Sequence, residues 1–240
     1  MASVDILGVR IDDVTMAETV AWIADALRGD ELRQICTVNP EFVMKAREDT
    51  DFMHLLTTTG LNLPDGIGLV IASWLKRQRL RARVPGSELV YHVAELCARE
   101  GYRPFLLGAE EGVAAQAAAI FQEKYPALQV AGTYSGSPSM AENEAIVEMV
   151  GASGADVLLV AYGAPNQDKW IYRNRHALKT VRVAIGVGGS LDFVMGKSKR
   201  APVWVQKLGL EWLHRLVLEP WRWRRMLALP RFISLVLRKL

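Results

Sequence analysis

The feature that most constrains this chain is a series of short apolar runs that do not alternate with polar residues, separated by amphipathic segments of helical length. The runs are Gln34–Val38, Pro104–Leu107, Gln129–Tyr134, Val157–Ala161 and Val181–Val187. Strands buried on both faces read this way, because neither side of the pleat meets water. Between them, Val14–Leu27, Ala109–Tyr125 and Ser139–Gly151 have helical periodicity, and Ser139 followed by Glu142 has the form of a capping box. Asn39-Pro40-Glu41 reads as a helix start, with a capping amide, a proline in the first turn and an acid near the positive end. Strands that alternate with helices predict an α/β fold with a mostly parallel sheet and helices on both faces. Ligands then bind at the carboxyl ends of the strands.

That pattern stops near Lys197. The rest of the chain reads as amphipathic helices broken near Pro220 and Pro230, which divides it into a body, 1–196, and an appendage, 197–240. Charge divides at the same place: 18 Lys and Arg against 24 Asp and Glu before residue 197, and 11 against 2 from there on. The appendage also carries Trp204, Trp212, Trp221 and Trp223. Cations interleaved with Trp, Leu and Phe favour a phosphate-rich surface, either anionic lipid or nucleic acid. No run approaches the roughly 18–20 apolar residues of a spanning helix. Met1–Arg10 lacks the charge and apolar pattern of a signal peptide, and Cys36 and Cys97 have no CxxC partner. A reducing compartment is the expectation.

Five stretches can carry chemistry. Asp65, in Leu63-Pro64-Asp65-Gly66, is either a general base or a turn residue capping the helix expected over Ile67–Lys76. Thr37 and Asn39 close a predicted strand, where a hydroxyl and an amide can bind sugar hydroxyls, and Asn39 can also cap. Gly186, Gly188 and Gly189 can bring backbone N–H groups to phosphate oxygens. They lie too late in the chain for a dinucleotide fingerprint, and no GxxxxGK[ST] loop is present. Gln167, in Gly163–Trp170, is not explained by ordinary helix-start chemistry. Arg215, Arg222 and Arg225 would share a broad face of a continuous helix, a spacing that suits a diphosphate.

Taken in order, TVNPEFVMKA (37–46), LPDGIG (63–68), RVPGSEL (83–89), FLLGA (105–109), GAPNQDKW (163–170), GVGGSLDF (186–193) and KRAP…QKLGLEWLHRL…EPWRWRR (199–225) resemble the WecG/TagA/CpsF glycosyltransferases, nearest their TagA branch. The resemblance implies a Rossmann-like body with a membrane-associating helical appendage. It also implies inverting transfer of N-acetylmannosamine from its UDP donor to undecaprenyl-diphosphate-linked N-acetylglucosamine, the linkage-unit step of wall teichoic acid synthesis. No metal or other cofactor is implied.

By the same resemblance Asp65 is the base, and Thr37 and Asn39 are pocket residues. The uridine diphosphate is expected near 163–170 and 186–192, with Gln167, Gly186, Gly188, Gly189 and Asp192 as substrate-binding residues, and Arg83 or an appendage Arg, with backbone N–H groups, as stabilisers of the leaving group. Arg215, Arg222 and Arg225 meet the lipid diphosphate. Asp168 departs from the family's more frequent Glu but keeps its charge. The expected partners are a UDP-sugar, the lipid-linked acceptor and the anionic inner face of the cell membrane, with no nucleic acid. An apolar tail away from the membrane needs burial, which is compatible with a homo-oligomer. The competing readings are the same chemistry with UDP-N-acetylmannosaminuronate or UDP-glucose, a nicotinamide-dependent oxidoreductase on a similar sheet, and a non-catalytic membrane or nucleic-acid adaptor.

Overall fold

The computed structural model describes residues 1–196 and, beyond them, 202, 205, 211–218, 223 and 227–239, with backbone alone at 211, 212 and 215. The chain opens with a hairpin, β1 (Ser3–Ile6) and β2 (Val9–Asp12), turning through Leu7 and Gly8, both at positive φ. That is the turn whose twist matches a two-residue hairpin. Helix α1 (Met16–Leu27) follows, started by a capping box between Thr15 and Glu18.

The body then runs β3 (Arg33–Val38), α2 (Pro40–Glu48), α3 (Thr50–Thr58), β4 (Leu61–Pro64), α4 (Ile67–Leu75) and α5 (Gly86–Glu100). It continues with β5 (Pro104–Gly108), α6 (Val113–Lys124), β6 (Gly132–Tyr134), α7 (Met140–Ser153), β7 (Val157–Ala161), α8 (Asn166–Asn174), β8 (Val183–Gly186) and α9 (Ser190–Val194). The six strands from β3 to β8 form one parallel sheet in the order β4-β3-β8-β7-β5-β6.

The expected α/β class and parallel sheet are therefore present. Leu106, Leu159 and Ile185 pack to one side of the sheet, with α1, α5 and α6; Phe105, Leu158 and Ala184 pack to the other. Both faces are buried, which is why the strand runs show no alternation. The Ser139 capping box is absent: the Ser139 side chain makes no cap bond, and its N–H donates to the Ser137 hydroxyl at 3.1 Å. The loop before α7 is held by that local turn.

Past residue 196 the described elements are the helices Glu211–Leu218 and Ala228–Arg238. The latter is not a detached tail. Its Phe232 and Val236 are 1% and 3% exposed and join Phe42 of α2 and Leu69 and Ala72 of α4 in one cluster. Among the described residues no helix is long and apolar enough to cross a membrane.

Candidate functional site

The order of the sheet decides where a ligand can sit. From β3 the chain moves outward to β4, while β8 lies on the other side of β3. The connections leave in opposite directions there, and a crevice opens at the carboxyl ends of these strands. The Thr37 hydroxyl spans it, donating to the Gly186 carbonyl at 3.0 Å. A cavity of about 580 Å³ fills the crevice. Thr37, Asn39, Asp65, Arg83, Gln167, Gly188 and Gly189 all line it. Gly186 lies just beneath, and Asp192, in the first turn of α9, is not part of the lining.

Asp65 follows β4 directly, and its own N–H donates to Val38 and Leu63 carbonyls. The residue that caps α4 is Gly66, and no side chain bonds that cap. Asp65 therefore does not cap α4. Its carboxylate accepts from the Gly86 N–H at 3.2 Å, in the first turn of α5. The positive end of a 15-residue helix therefore faces the carboxylate and orients it toward the cavity.

The glycines beside it serve close packing. A Cβ on Gly66 would lie 2.7 Å from Pro40 Cδ, and one on Gly68 would lie 2.8 Å from Pro40 Cγ. The LPDGIG and NPE motifs are thus two sides of one contact, which sets Asp65 beside Asn39. Asn39 caps α2, accepting from the Phe42 N–H at 3.2 Å, and also lines the cavity.

Gln167 gains an explanation that its local sequence does not supply. Its amide oxygen accepts from Gly163 N–H at 3.1 Å and Gly188 N–H at 2.9 Å, tying the loop after β7 to the loop after β8. The N–H groups of Val187, Gly188 and Ser190 donate to Val160, Gln167 and Val187, whereas the Gly189 N–H makes no such bond among the described residues.

Asp168 lies beneath, fully buried, with neither carboxylate oxygen hydrogen-bonded among the described residues. Burial pushes its pKa up to about 7, against weaker opposing effects from the Cys36 thiol, the Gln167 amide and the Lys45 charge. The thiol and amide lie close but do not meet it in hydrogen-bond geometry. The Cys36 thiol is in turn pushed well up by burial and by Asp168. Both groups support the site from below and do not reach the cavity lining.

The sequence reading did not anticipate several lining residues. Glu41, ion-paired with Lys45 at 3.1 Å, and Ser87 add polar groups. The far wall is apolar and comes from α4 and from the Ala228–Arg238 helix. Arg222 and Arg225 lie outside the described residues, and Arg215 is described by its backbone alone.

The sequence profile of the family described as "Glycosyl transferase WecG/TagA/CpsF family" matches residues 4–240. A Bacillus subtilis (strain 168) protein is 36% identical over 205 residues, 85% of this chain and 79% of that one. A Bacillus spizizenii protein is 34% identical over 85% of this chain and 78% of its own length. A Staphylococcus aureus (strain MRSA252) protein is 32% identical over 97% of this chain and 91% of its own. All three are named N-acetylglucosaminyldiphosphoundecaprenol N-acetyl-beta-D-mannosaminyltransferase.

Proposed function

This chain belongs to the WecG/TagA/CpsF family of glycosyltransferases, and from that premise we propose that it moves N-acetylmannosamine from UDP-N-acetylmannosamine to N-acetylglucosamine on undecaprenyl diphosphate. In a cell wall this is the linkage-unit step of teichoic acid synthesis. The observation that carries the chemistry is Asp65, a carboxylate at the cavity wall that is oriented by the N-terminus of α5 and does not cap α4.

In this reading the acceptor hydroxyl oxygen attacks the anomeric carbon of the donor. Asp65 takes its proton, and the bond from that carbon to the diphosphate oxygen breaks on the opposite face. The configuration inverts, and UDP leaves. Positive charge develops at the sugar, as in glycoside chemistry generally. Negative charge grows on the leaving diphosphate, where Arg83 at the cavity wall and the Gly189 N–H supply compensating groups. Thr37 and Asn39 position sugar hydroxyls. Gln167 keeps the loops after β7 and β8 in register around the donor. Asp192, in the first turn of α9 just after Gly189, is assigned to the donor-binding loop.

The body and the basic appendage then divide the work. Arg215, Arg222 and Arg225 engage the lipid diphosphate, and the protein works as a peripheral enzyme on the cytoplasmic face of the membrane. The Ala228–Arg238 helix, against the cavity wall, supports this arrangement.

The test is UDP release from a panel of UDP-sugars with a soluble N-acetylglucosaminyl diphosphate ester. Release is expected to require both substrates and to be about 10²-fold faster with N-acetylmannosamine than with glucose or N-acetylmannosaminuronate. Faster turnover of another donor would reassign the sugar.

A further inference from the structure

The cavity changes character along its length. Its inner end holds Asp65 and its polar neighbours, and its outer end runs between α4 and the Ala228–Arg238 helix. Ile71 and Leu75 of α4 face Leu229, Phe232 and Ile233 across it. Phe232 and Val236 are buried and anchor the last helix, whereas Ile233 and Leu237, each one position further on, form the adjacent stripe. That stripe is open: Ile233 is 47% and Leu237 53% exposed, and on α4 Ile71 is 49% and Trp74 57% exposed. Two helices from distant parts of the chain thus extend the cavity wall onto the surface as one apolar strip. Contiguous exposed apolar surface of this kind marks a binding site.

The strip has a cationic rim. α4 runs into Lys76-Arg77-Gln78-Arg79. Lys76 pairs with Asp5, but Arg77 and Arg79 are exposed and make no ion pair among the described residues. Arg231 and Arg238 stand exposed on the other helix. Cations beside exposed Trp and Leu are the pattern of an element seated at headgroup level.

We infer that the slot between α4 and the Ala228–Arg238 helix holds the first isoprene units of the acceptor's polyprenyl chain. The inference rests on the acceptor proposed above. Sugar and lipid are joined through one diphosphate, so a cavity that takes the sugar at Asp65 must also let the lipid out. The outer end is both apolar and open. The slot is the open outer end of the cavity, so it takes a proximal segment only and the rest of the chain stays in the bilayer. The slot makes the enzyme read the first isoprenes as well as the sugar diphosphate.

The experiment uses the full chain without vesicles and compares methyl and geranyl esters of N-acetylglucosaminyl diphosphate, both monomeric in solution, with UDP-N-acetylmannosamine as donor. The wild type is expected to favour the geranyl ester by about tenfold in kcat/KM, mainly through KM. The double variant Ile71→Glu, Ile233→Glu changes two exposed positions. It is expected to bring the geranyl-to-methyl ratio of kcat/KM from about ten to about one, a ratio that any common loss of turnover leaves unchanged. No chain preference in the wild type, or a preference that survives both substitutions, overturns the slot. A chain effect that requires added vesicles gives the strip to the bilayer, and a dimer that dissociates on substitution with no change in preference gives it to a second copy. Either result also overturns the proposal. No UDP release from either ester defeats the acceptor reading itself, which separates that failure from failure of the slot alone.

Discussion

Replacing Asp65 with Asn is expected to lower kcat by about 10²–10⁴ while UDP binding stays near its wild-type strength. The substitution keeps the shape, and the amide oxygen can still accept the Gly86 N–H that orients the carboxylate at 3.2 Å. The loop after β4 should therefore hold its course. What the amide cannot do is take a proton from the attacking hydroxyl. Loss of an interaction made only in the transition state lowers kcat and kcat/KM together. Asp65→Ala also removes the bond to Gly86 and should in addition weaken substrate binding. Steady-state UDP release and calorimetric titration with UDP separate the effects. An Asn variant with normal kcat and raised KM would make Asp65 a sugar-binding residue instead of the base.

The second large effect concerns Asp168, which does no chemistry in this account. Its pKa is pushed from 3.8 in the unfolded chain up to about 7 in the folded protein, chiefly by burial. Between these values the folded state holds a proton that the unfolded state has released. Stability therefore falls as pH rises through this window, by up to about 1.4 kcal/mol per pH unit and roughly 4 kcal/mol over the whole span. Above pH 7 the loss is complete and constant. Asp168→Asn has no proton to lose, so its stability should lack this component. Between pH 5.5 and 7.5 the wild-type Tm is expected to drop about 5 °C more than that of the variant. Parallel Tm curves would mean that the carboxylate is compensated in the folded state by partners or solvent. A Glu here, one methylene longer, would place its carboxylate elsewhere beneath Gly186, where a Cβ would already lie 2.5 Å from the Asp168 Oδ1.

How much of this was legible in the sequence depended on the reach of each interaction. Val157–Ala161 was read to the residue, because a buried central strand writes an unbroken apolar run. The β1–β2 hairpin and β4 were missed. Each of their strands is four residues long, and β4 carries a buried Asn62 that is satisfied by Thr59, Leu56 and Asp12, two of them from other elements. The capping box went to the wrong place for a related reason. Thr15 and Glu18 have the same spacing as Ser139 and Glu142, and only the tertiary setting separates them.

The same limit applied in the site. Asn39 was open to two readings; it caps α2 and stands at the cavity wall. Asp65 was not separable from a helix cap, because the deciding partner, Gly86, is 21 residues away. Gln167 was flagged as unexplained, since one of its two partners, Gly188, is also 21 residues off. For the appendage, charge and tryptophan marked a change of character at residue 197. The burial of Phe232 and Val236 against α2 and α4 is a long-range fact, and no local pattern encodes which surface an amphipathic helix will cover.

The account rests on a single displacement at the sugar, assisted by Asp65. The most direct measurement is the anomeric configuration of the product, read from the one-bond carbon–hydrogen coupling at the transferred sugar's first carbon. The account predicts a configuration opposite to that of the donor. A product with the donor's configuration would require a covalent intermediate or an internal return, and would contradict it.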